Sequence, residues 1–325
     1  MATQTTTSPD GGAAPAELLL LIPLKAGFLP MLRERWTVHA PEGGVKSPGL
    51  AALDVSRVRG IITNGSTGAP PELMDRMPAL EIIACFGAGY ESVDLAYAKR
   101  RGIAVSNAPG VNDATVADHT LGLMLALARG YVVLDRSVRE GRFSSSRADR
   151  PTLSGTRLGM LGLGNIGVKI ATRAAAFDMS VAYCTRTPRK DVPWTHYASP
   201  VELARHCDWL VVATPGGPAT RGLVGAEVLD ALGPNGCLVN ISRGSVVDEA
   251  ALIAALRDRR IAGAALDVFM NEPDVSAELR AQENTVFTPH MAGRSPAAQQ
   301  GQLDALVANI EACFAGKPLP APVAL

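Results

Sequence analysis

The sequence predicts an α/β protein of two units, each a parallel sheet with helices wound on both faces. Three observations carry that expectation. Short apolar runs alternate with segments of helical spacing from Leu18 to Thr288, the βαβ rhythm of parallel sheets buried on both sides. The alternation falls into two series, parted by a long apolar helix and a polar stretch. The second series opens on a strand followed at once by Gly162-Leu163-Gly164-Asn165-Ile166-Gly167 and an alanine-rich helix, the pattern of a Rossmann-like dinucleotide fold. A length of 325 residues suits two such units.

In the first series, residues 18–22, 60–63, 80–85 and 103–107 are short and apolar and read as four strands, with helical spacing over 71–77 and 93–101. Asp113–Arg129 follows, with Asn112 or Asp113 as its capping candidate. Beyond Thr120 it is apolar on nearly every face, so it is expected to be buried between domains or between subunits. Residues 136–154 are rich in Arg and Ser and are expected to form a surface arm. The second series has six strands, 158–161, Ser180–Cys184, 209–214, 236–241, 263–268 and 285–288. Helices over 165–177, 200–206, 225–232 and 248–257 separate them, which matches a doubly wound sheet. An amphipathic helix over 296–315 is expected to pack back on the first unit, and the small, polar residues 1–14 read as a disordered tail. The resulting division gives residues 1–106 with 293–325 to one domain and 107–292 to a dinucleotide-binding domain.

Composition excludes several classes. Lys+Arg and Asp+Glu are both 31, so the surplus of basic charge that a nucleic-acid partner would need is missing. The apolar run from Leu18 to Leu24 is broken by Pro23 and falls short of the roughly 20 residues that span a bilayer. No basic residue precedes it, which makes it a poor secretory signal. Five scattered cysteines form no CxxC pair, which argues against a disulfide framework and for a reducing cytoplasm. With no HExxH and no Cys/His cluster, no metal is expected, and the lack of GxSxG argues against a hydrolase elbow.

The glycine loop implies a dinucleotide. Gly162 permits the tight turn, Gly164 leaves room for a pyrophosphate, and Gly167 lets the helix pack close to the strand. The helix start then offers N–H groups to the phosphates. An acidic residue near the end of the next strand would bind the ribose hydroxyls of NAD(H). Here that strand ends in Thr185-Arg186-Thr187, followed by Arg189 and Lys190, and no acid occurs before Asp191. Arginine and two hydroxyls suit a 2′-phosphate, so NADP(H) is preferred and NAD(H) is the second possibility.

Three residues follow strand ends of the second series: Arg243, Glu272 and His290. In a parallel sheet such ends face one crevice, so the three can converge. An arginine fork suits a carboxylate, a histidine can move a proton near neutral pH, and a glutamate can hold the imidazole and favour its protonated form. Singly they could be a salt bridge, a loop charge and a hydrogen-bonder. Behind a dinucleotide loop they make a dehydrogenase site for a 2-oxo acid. His39, His196 and His206 read as residues of polar loops or helix ends, and His119 as a satisfied packing residue on its helix.

These residues resemble the D-isomer-specific 2-hydroxyacid dehydrogenase family. The resemblance covers residues 16–325 through GLGNIG at 162–167, NISRGSVVDEAAL at 240–252, ALDVFMNEP at 265–273, TPH at 288–290 and GKPLPAPV at 316–323. The Thr185-Arg186-Thr187 triplet is most similar to the NADPH-dependent glyoxylate/hydroxypyruvate reductase branch. The resemblance implies a flavodoxin-like substrate domain and a Rossmann domain closing over a cleft, and a homodimer formed through the cofactor domain. It implies that Arg243 binds the substrate carboxylate and carbonyl, with His290 as acid/base and Glu272 as its partner. Asp267 would hold the nicotinamide carboxamide, and Asn165 and Ile166 would meet the pyrophosphate through the backbone. Thr214 and Thr220 would line the cofactor groove, with Ile241 near the nicotinamide. Ala88 and Gly89, within Gly87-Ala88-Gly89-Tyr90, would bind the carboxylate through N–H groups. Pro215-Gly216-Gly217-Pro218 departs from a commoner Pro-Leu-Thr type of sequence, and Arg294 stands where many relatives have other residues. An NAD-linked dehydrogenase of another substrate class, or a nucleotide-sensing relative without activity, are the alternatives. Against the first weigh the basic strand end and the absence of a further domain after Leu325.

Overall fold

Strand pairing is parallel throughout both sheets of the computed structural model, which describes residues 14–325. Residues 1–13, nearly all of the expected tail, lie outside the described residues. The chain divides into a first unit, up to Pro109 together with Gln300–Leu325, and a second, Gly110–Gln299.

The first unit holds β1 (Glu17–Leu20), β2 (Thr37–His39), β3 (Val58–Thr63), β4 (Ile82–Cys85) and β5 (Ala104–Ser106), in the order β2-β1-β3-β4-β5. Helices α1 (Phe28–Arg33), α2 (Pro48–Ala52), α3 (Pro71–Asp75) and α4 (Leu95–Arg100) connect them. Side chains alternate across a strand, so β1 feeds two cores. Leu18 and Leu20 pack with Ile62, Ile82 and with Leu303, Leu306 and Ile310 of the C-terminal helix Pro296–Phe314. Leu19 and Leu21 pack with Ile61, Ile83, Leu73 and Met74 on the other face.

In the second unit α5 (Asp113–Arg129) and α6 (Tyr131–Arg139) precede the sheet. Then come β6 (Arg157–Leu161), α7 (Asn165–Ala175), β7 (Ser180–Cys184), β8 (Thr195–Tyr197), α8 (Pro200–Arg205) and β9 (Trp209–Val212). The rest are α9 (Ala226–Leu232), β10 (Cys237–Asn240), α10 (Glu249–Arg257), β11 (Gly263–Leu266), α11 (Ala277–Arg280) and β12 (Thr285–Phe287). The strand order β12-β11-β10-β9-β6-β7-β8 reverses direction at β6, the position where doubly wound sheets open a crevice for ligands.

Four expectations need correction. Each sheet carries one strand more than the apolar runs indicate, β2 and β8. Both are three-residue edge strands, Thr-Val-His and Thr-His-Tyr, with at most one buried side chain. An edge strand has a partner on one side only and can be short and polar. His39 and His196 therefore lie on strands, where they meet Glu17 Oε2 at 2.9 Å and the Thr185 carbonyl at 3.0 Å. The α5 helix is buried against its own unit: Val116, Ala117, Leu121 and Met124 join Met160, Ile170, Val211, Val239 and Ala265 in one core. A helix lying across both the sheet and α7 can be apolar on most faces without a second domain. Finally, residues 136–139 of the expected arm continue α6, where Arg136 pairs with Glu140 and Arg139 with Asp135, both at 2.8 Å and i,i+4.

Candidate active site

The glycine loop is built where β6 ends. Gly162 takes φ +95°, and its N–H donates to the Cys184 carbonyl at 3.0 Å. A Cβ there would come within 2.7 Å of Thr214 N, so neither the backbone angle nor the space admits a side chain. A Cβ on Gly167 would meet the Gly162 carbonyl oxygen at 2.7 Å, which is the close strand–helix approach the spacing predicts. Over Gly164, by contrast, a Cβ would meet nothing within 4 Å. Among the described residues no side chain caps α7, so Asn165 and Ile166 begin a helix whose first N–H groups have no intrahelical partner. An uncapped helix start over a bare glycine fits a pyrophosphate.

Around it, Thr185 Oγ1 donates to the Thr187 carbonyl at 2.8 Å. Arg186 is exposed, and among the described residues no hydrogen bond or ion pair engages it. The Thr214 backbone lies against Gly162. Thr220 turns its hydroxyl inward to the Pro215 carbonyl at 2.7 Å, closing the Pro215–Thr220 turn. Ile241 is buried at the end of β10.

Arg243 is presented by a clamped turn. Asn240, 1% exposed, accepts from Ser242 N at 3.1 Å and Ser242 Oγ at 3.0 Å, and donates to the Arg243 carbonyl at 3.0 Å. The guanidinium donates from Nη1 to the Ser242 carbonyl at 2.7 Å. Its stem crosses Gly216, where a Cβ would stand 2.7 Å from Arg243 Cγ. The Pro215–Pro218 departure thus supplies a bare backbone for the arginine to lie on.

His290 sits in a left-handed turn, φ +53°. For a non-glycine residue such a conformation costs about 1 to 3 kcal/mol and persists when its surroundings over-determine it. Asp267 does so. Its carbonyl accepts from His290 N at 2.8 Å, Oδ1 accepts from Met291 N at 2.7 Å, and Oδ2 from Ala292 N at 2.9 Å. Thr288 Oγ1 donates to Oδ1 at 2.6 Å, which leaves His119 Nε2 as the donor in its 3.0 Å bond to Thr288. His119 is satisfied, as its place on the helix implies, but it belongs to the support of this turn.

Glu272 completes the group. Oε2 lies 2.8 Å from His290 Nδ1, and Oε1 accepts from Phe269 N at 3.0 Å. Burial pushes the Glu272 carboxyl up, but the bonds from His290 and Phe269 and the charges of His290 and Arg243 outweigh it and hold the group below the usual carboxylate range. The structure therefore brings Arg243, Glu272 and His290 into one electrostatic group. Nδ1 is engaged by the carboxylate, so Nε2 is the nitrogen left for proton exchange with another molecule.

In the first unit, Gly87 takes φ +114° and its carbonyl accepts from Ala108 N at 2.8 Å. Asn107 Nδ2 donates to the Ala88 carbonyl at 2.7 Å, and Gly89 lies against Gly65, where a Cβ would come within 2.7 Å of the Gly89 carbonyl carbon. Arg294 is exposed, beyond a turn closed by its N–H on the Met291 carbonyl at 2.9 Å.

Sequence reasoning missed Asn240, Gly216, Thr288 and His119 as supports. Asn240 and Thr288 lie inside the quoted motifs, whereas His119 pairs with a residue 169 positions away and carries no local signal.

The chain is similar to known proteins over most of its length. Residues 121–292 match the family described as "D-isomer specific 2-hydroxyacid dehydrogenase, NAD binding domain". The hydroxyphenylpyruvate reductase of Plectranthus scutellarioides is 42% identical over 273 residues, covering 84% of this chain and 87% of its own. A glyoxylate/hydroxypyruvate reductase of Arabidopsis thaliana is also 42% identical, over 89% of this chain and 90% of its own. Among solved structures, an NADPH-dependent glyoxylate/hydroxypyruvate reductase from Sinorhizobium meliloti, in complex with NADP and malonate, is similar with a TM-score of 0.88. It is 39% identical, and the match covers 96% of this chain and 97% of that one. With that identity over that length, and a glycine loop shaped for a nicotinamide dinucleotide, the chain belongs to the D-isomer specific 2-hydroxyacid dehydrogenase family of oxidoreductases.

Proposed function

We propose that the protein is an NADPH-dependent reductase of small 2-oxo acids, of the glyoxylate/hydroxypyruvate type, yielding the D-2-hydroxy acid. The observation that carries the reading is the His290–Glu272 pair at 2.8 Å, with Arg243 in the same electrostatic group. When bound, the reduced nicotinamide supplies a hydride to the 2-carbon. Arg243 binds the substrate carboxylate and, as charge develops on the carbonyl oxygen, stabilises it. His290 gives that oxygen a proton from Nε2, while Glu272 holds Nδ1 and fixes the ring. Asp267 keeps the histidine turn in place and Ile241 packs beside the nicotinamide site. The Ala88–Gly89 N–H groups are proposed as carboxylate donors of the first unit.

Preference for NADPH rests on the exposed Arg186 between two threonines at the end of β7, where an acid would select NADH. Initial rates with NADPH and NADH, each with glyoxylate, hydroxypyruvate and phenylpyruvate, test both halves. We expect kcat/KM to favour NADPH by about a hundred-fold, and Arg186→Ala to erase about ten-fold of that margin. Preference for NADH overturns the cofactor half. Silence with every oxo acid overturns the substrate half.

The same reading makes the protein a cytoplasmic homodimer joined through the cofactor unit. Tyr131, Val132, Val133 and Val138 of α6 and Phe143 beyond it are more than half exposed, and these exposed apolar side chains support docking of a second copy here. Tyr131 and Val138 are seven residues apart and share a helix face. Light scattering is expected to give the mass of two chains, and that of one chain for Tyr131→Asp with Val138→Asp at unchanged circular dichroism. A monomeric native protein overturns the dimer.

A further inference from the structure

We propose that Arg189 is a positioning residue for cofactor choice, bracing the 2′-phosphate loop, residues 185–187, against the glycine loop; this rests on the NADPH reading of that loop. Two anchors meet at this residue. Its side chain donates from Nη1 to the carbonyl of Leu163, inside the glycine loop, at 2.7 Å. Its backbone N–H donates to the Tyr183 hydroxyl at 2.8 Å, and that hydroxyl donates back to the Arg189 carbonyl at 3.2 Å. Tyr183 is 1% exposed and cannot yield, since it lies in the core of the sheet. The other end of the loop is fixed through the same tyrosine. His196 stands edge-on to the Tyr183 ring at 5.1 Å, and its Nε2 lies 3.0 Å from the Thr185 carbonyl. Thr185 in turn closes on Thr187 at 2.8 Å.

Charge separates the two arginines. Asp191 takes the Arg189 guanidinium in a two-point pair, Nε to Oδ1 at 2.9 Å and Nη2 to Oδ2. The hydrogen bond from Arg189 holds the Asp191 carboxyl below its usual range, so the pair stays ionised and nearly neutral as a unit. Arg189 is therefore already matched by a carboxylate and a carbonyl, and Arg186, exposed beside it, is the cation offered to an anion. A loop fixed at both ends loses less freedom when a phosphate binds, and only a cofactor with a 2′-phosphate gains from it.

The test measures KM, kcat and binding of NADPH and NADH for the native enzyme and for Arg189→Met, Arg189→Lys, Asp191→Asn and Arg186→Ala. If Arg189 braces the loop, Arg189→Met raises the NADPH KM about ten-fold. It shifts the NADH KM by no more than about three-fold and leaves kcat at saturating NADPH within about two-fold. Arg189→Lys rescues only part, because one ammonium cannot serve the Leu163 carbonyl and both carboxylate oxygens. Asp191→Asn gives the deciding sign. Asp191→Asn leaves both anchors in place, so a bracing Arg189 keeps NADPH binding within about three-fold, whereas a directly phosphate-binding Arg189 would be freed and bind NADPH more tightly. Tighter binding in Asp191→Asn, full rescue by lysine, or equal losses for both cofactors in Arg189→Met overturns the inference. A native enzyme that does not prefer NADPH, or an Arg186→Ala variant that keeps the preference, overturns the underlying cofactor reading instead.

Discussion

His290→Ala is expected to lower kcat by about a thousand-fold, the scale of a lost general acid, with the NADPH dissociation constant within about two-fold of native. The separation follows from where the residue sits. Its Nε2 faces outward from a pair closed by Glu272, and the glycine loop that fits the cofactor is built from other elements. Steady-state rates with glyoxylate and fluorescence titration with NADPH measure the two quantities. Retention of more than about a tenth of native kcat removes the acid role. Glu272→Gln probes the same pair from the other side. The carboxylate accepts from Phe269 N with one oxygen and faces His290 Nδ1 with the other. An amide has one acceptor oxygen, so one of the two N–H groups must face an NH2 group. We expect kcat to fall about ten- to a hundred-fold in that variant. Acid pH acts on the same bonds. The folded-state pKa of Glu272 is depressed, so the stability it contributes is present above the unfolded carboxyl's pKa and is lost as pH falls through the lower folded value.

The parts of the fold that could be read from the sequence share a physical cause. A strand buried on both faces must be apolar along its length, which is why β3, β4, β6, β9 and β10 stand out as runs. The edge strands β2 and β8 answer to water on one side and carry Thr and His, so they leave no such trace. Site residues behave in the same way. The glycines are readable because the turn at Gly162 and the approach at Gly167 admit almost nothing else at that spacing. Arg243, Glu272 and His290 are readable because strand ends of a parallel sheet converge. Their supports are not, because a bond such as His119 to Thr288 or Arg189 to Leu163 joins distant positions through common residue types. The α5 helix, apolar on nearly every face beyond Thr120, marks the limit of periodicity: the pattern shows that the helix is buried, and nothing in it tells its own sheet from a partner.

On the proposed mechanism Arg243→Ala is expected to lower kcat/KM for glyoxylate by about a thousand-fold or more, since that mechanism assigns to Arg243 both the substrate carboxylate and the developing oxyanion. Arg243→Lys tests which property matters. Lysine keeps the charge but lacks the planar fork, and it cannot both donate to the Ser242 carbonyl, as Nη1 does at 2.7 Å, and hold a carboxylate at two points. We therefore expect lysine to recover only about ten-fold of the loss. Gly216→Ala separates geometry from chemistry, because it leaves the guanidinium intact and moves only its bed. The new Cβ would stand 2.7 Å from Arg243 Cγ, so the stem must shift. If the placement of the fork is what the site requires, kcat/KM falls about ten-fold in this variant while NADPH binding and the melting temperature hold. Lysine at position 243 within about three-fold of native would mean that charge alone suffices, and the two-point reading of the substrate carboxylate would fall with it.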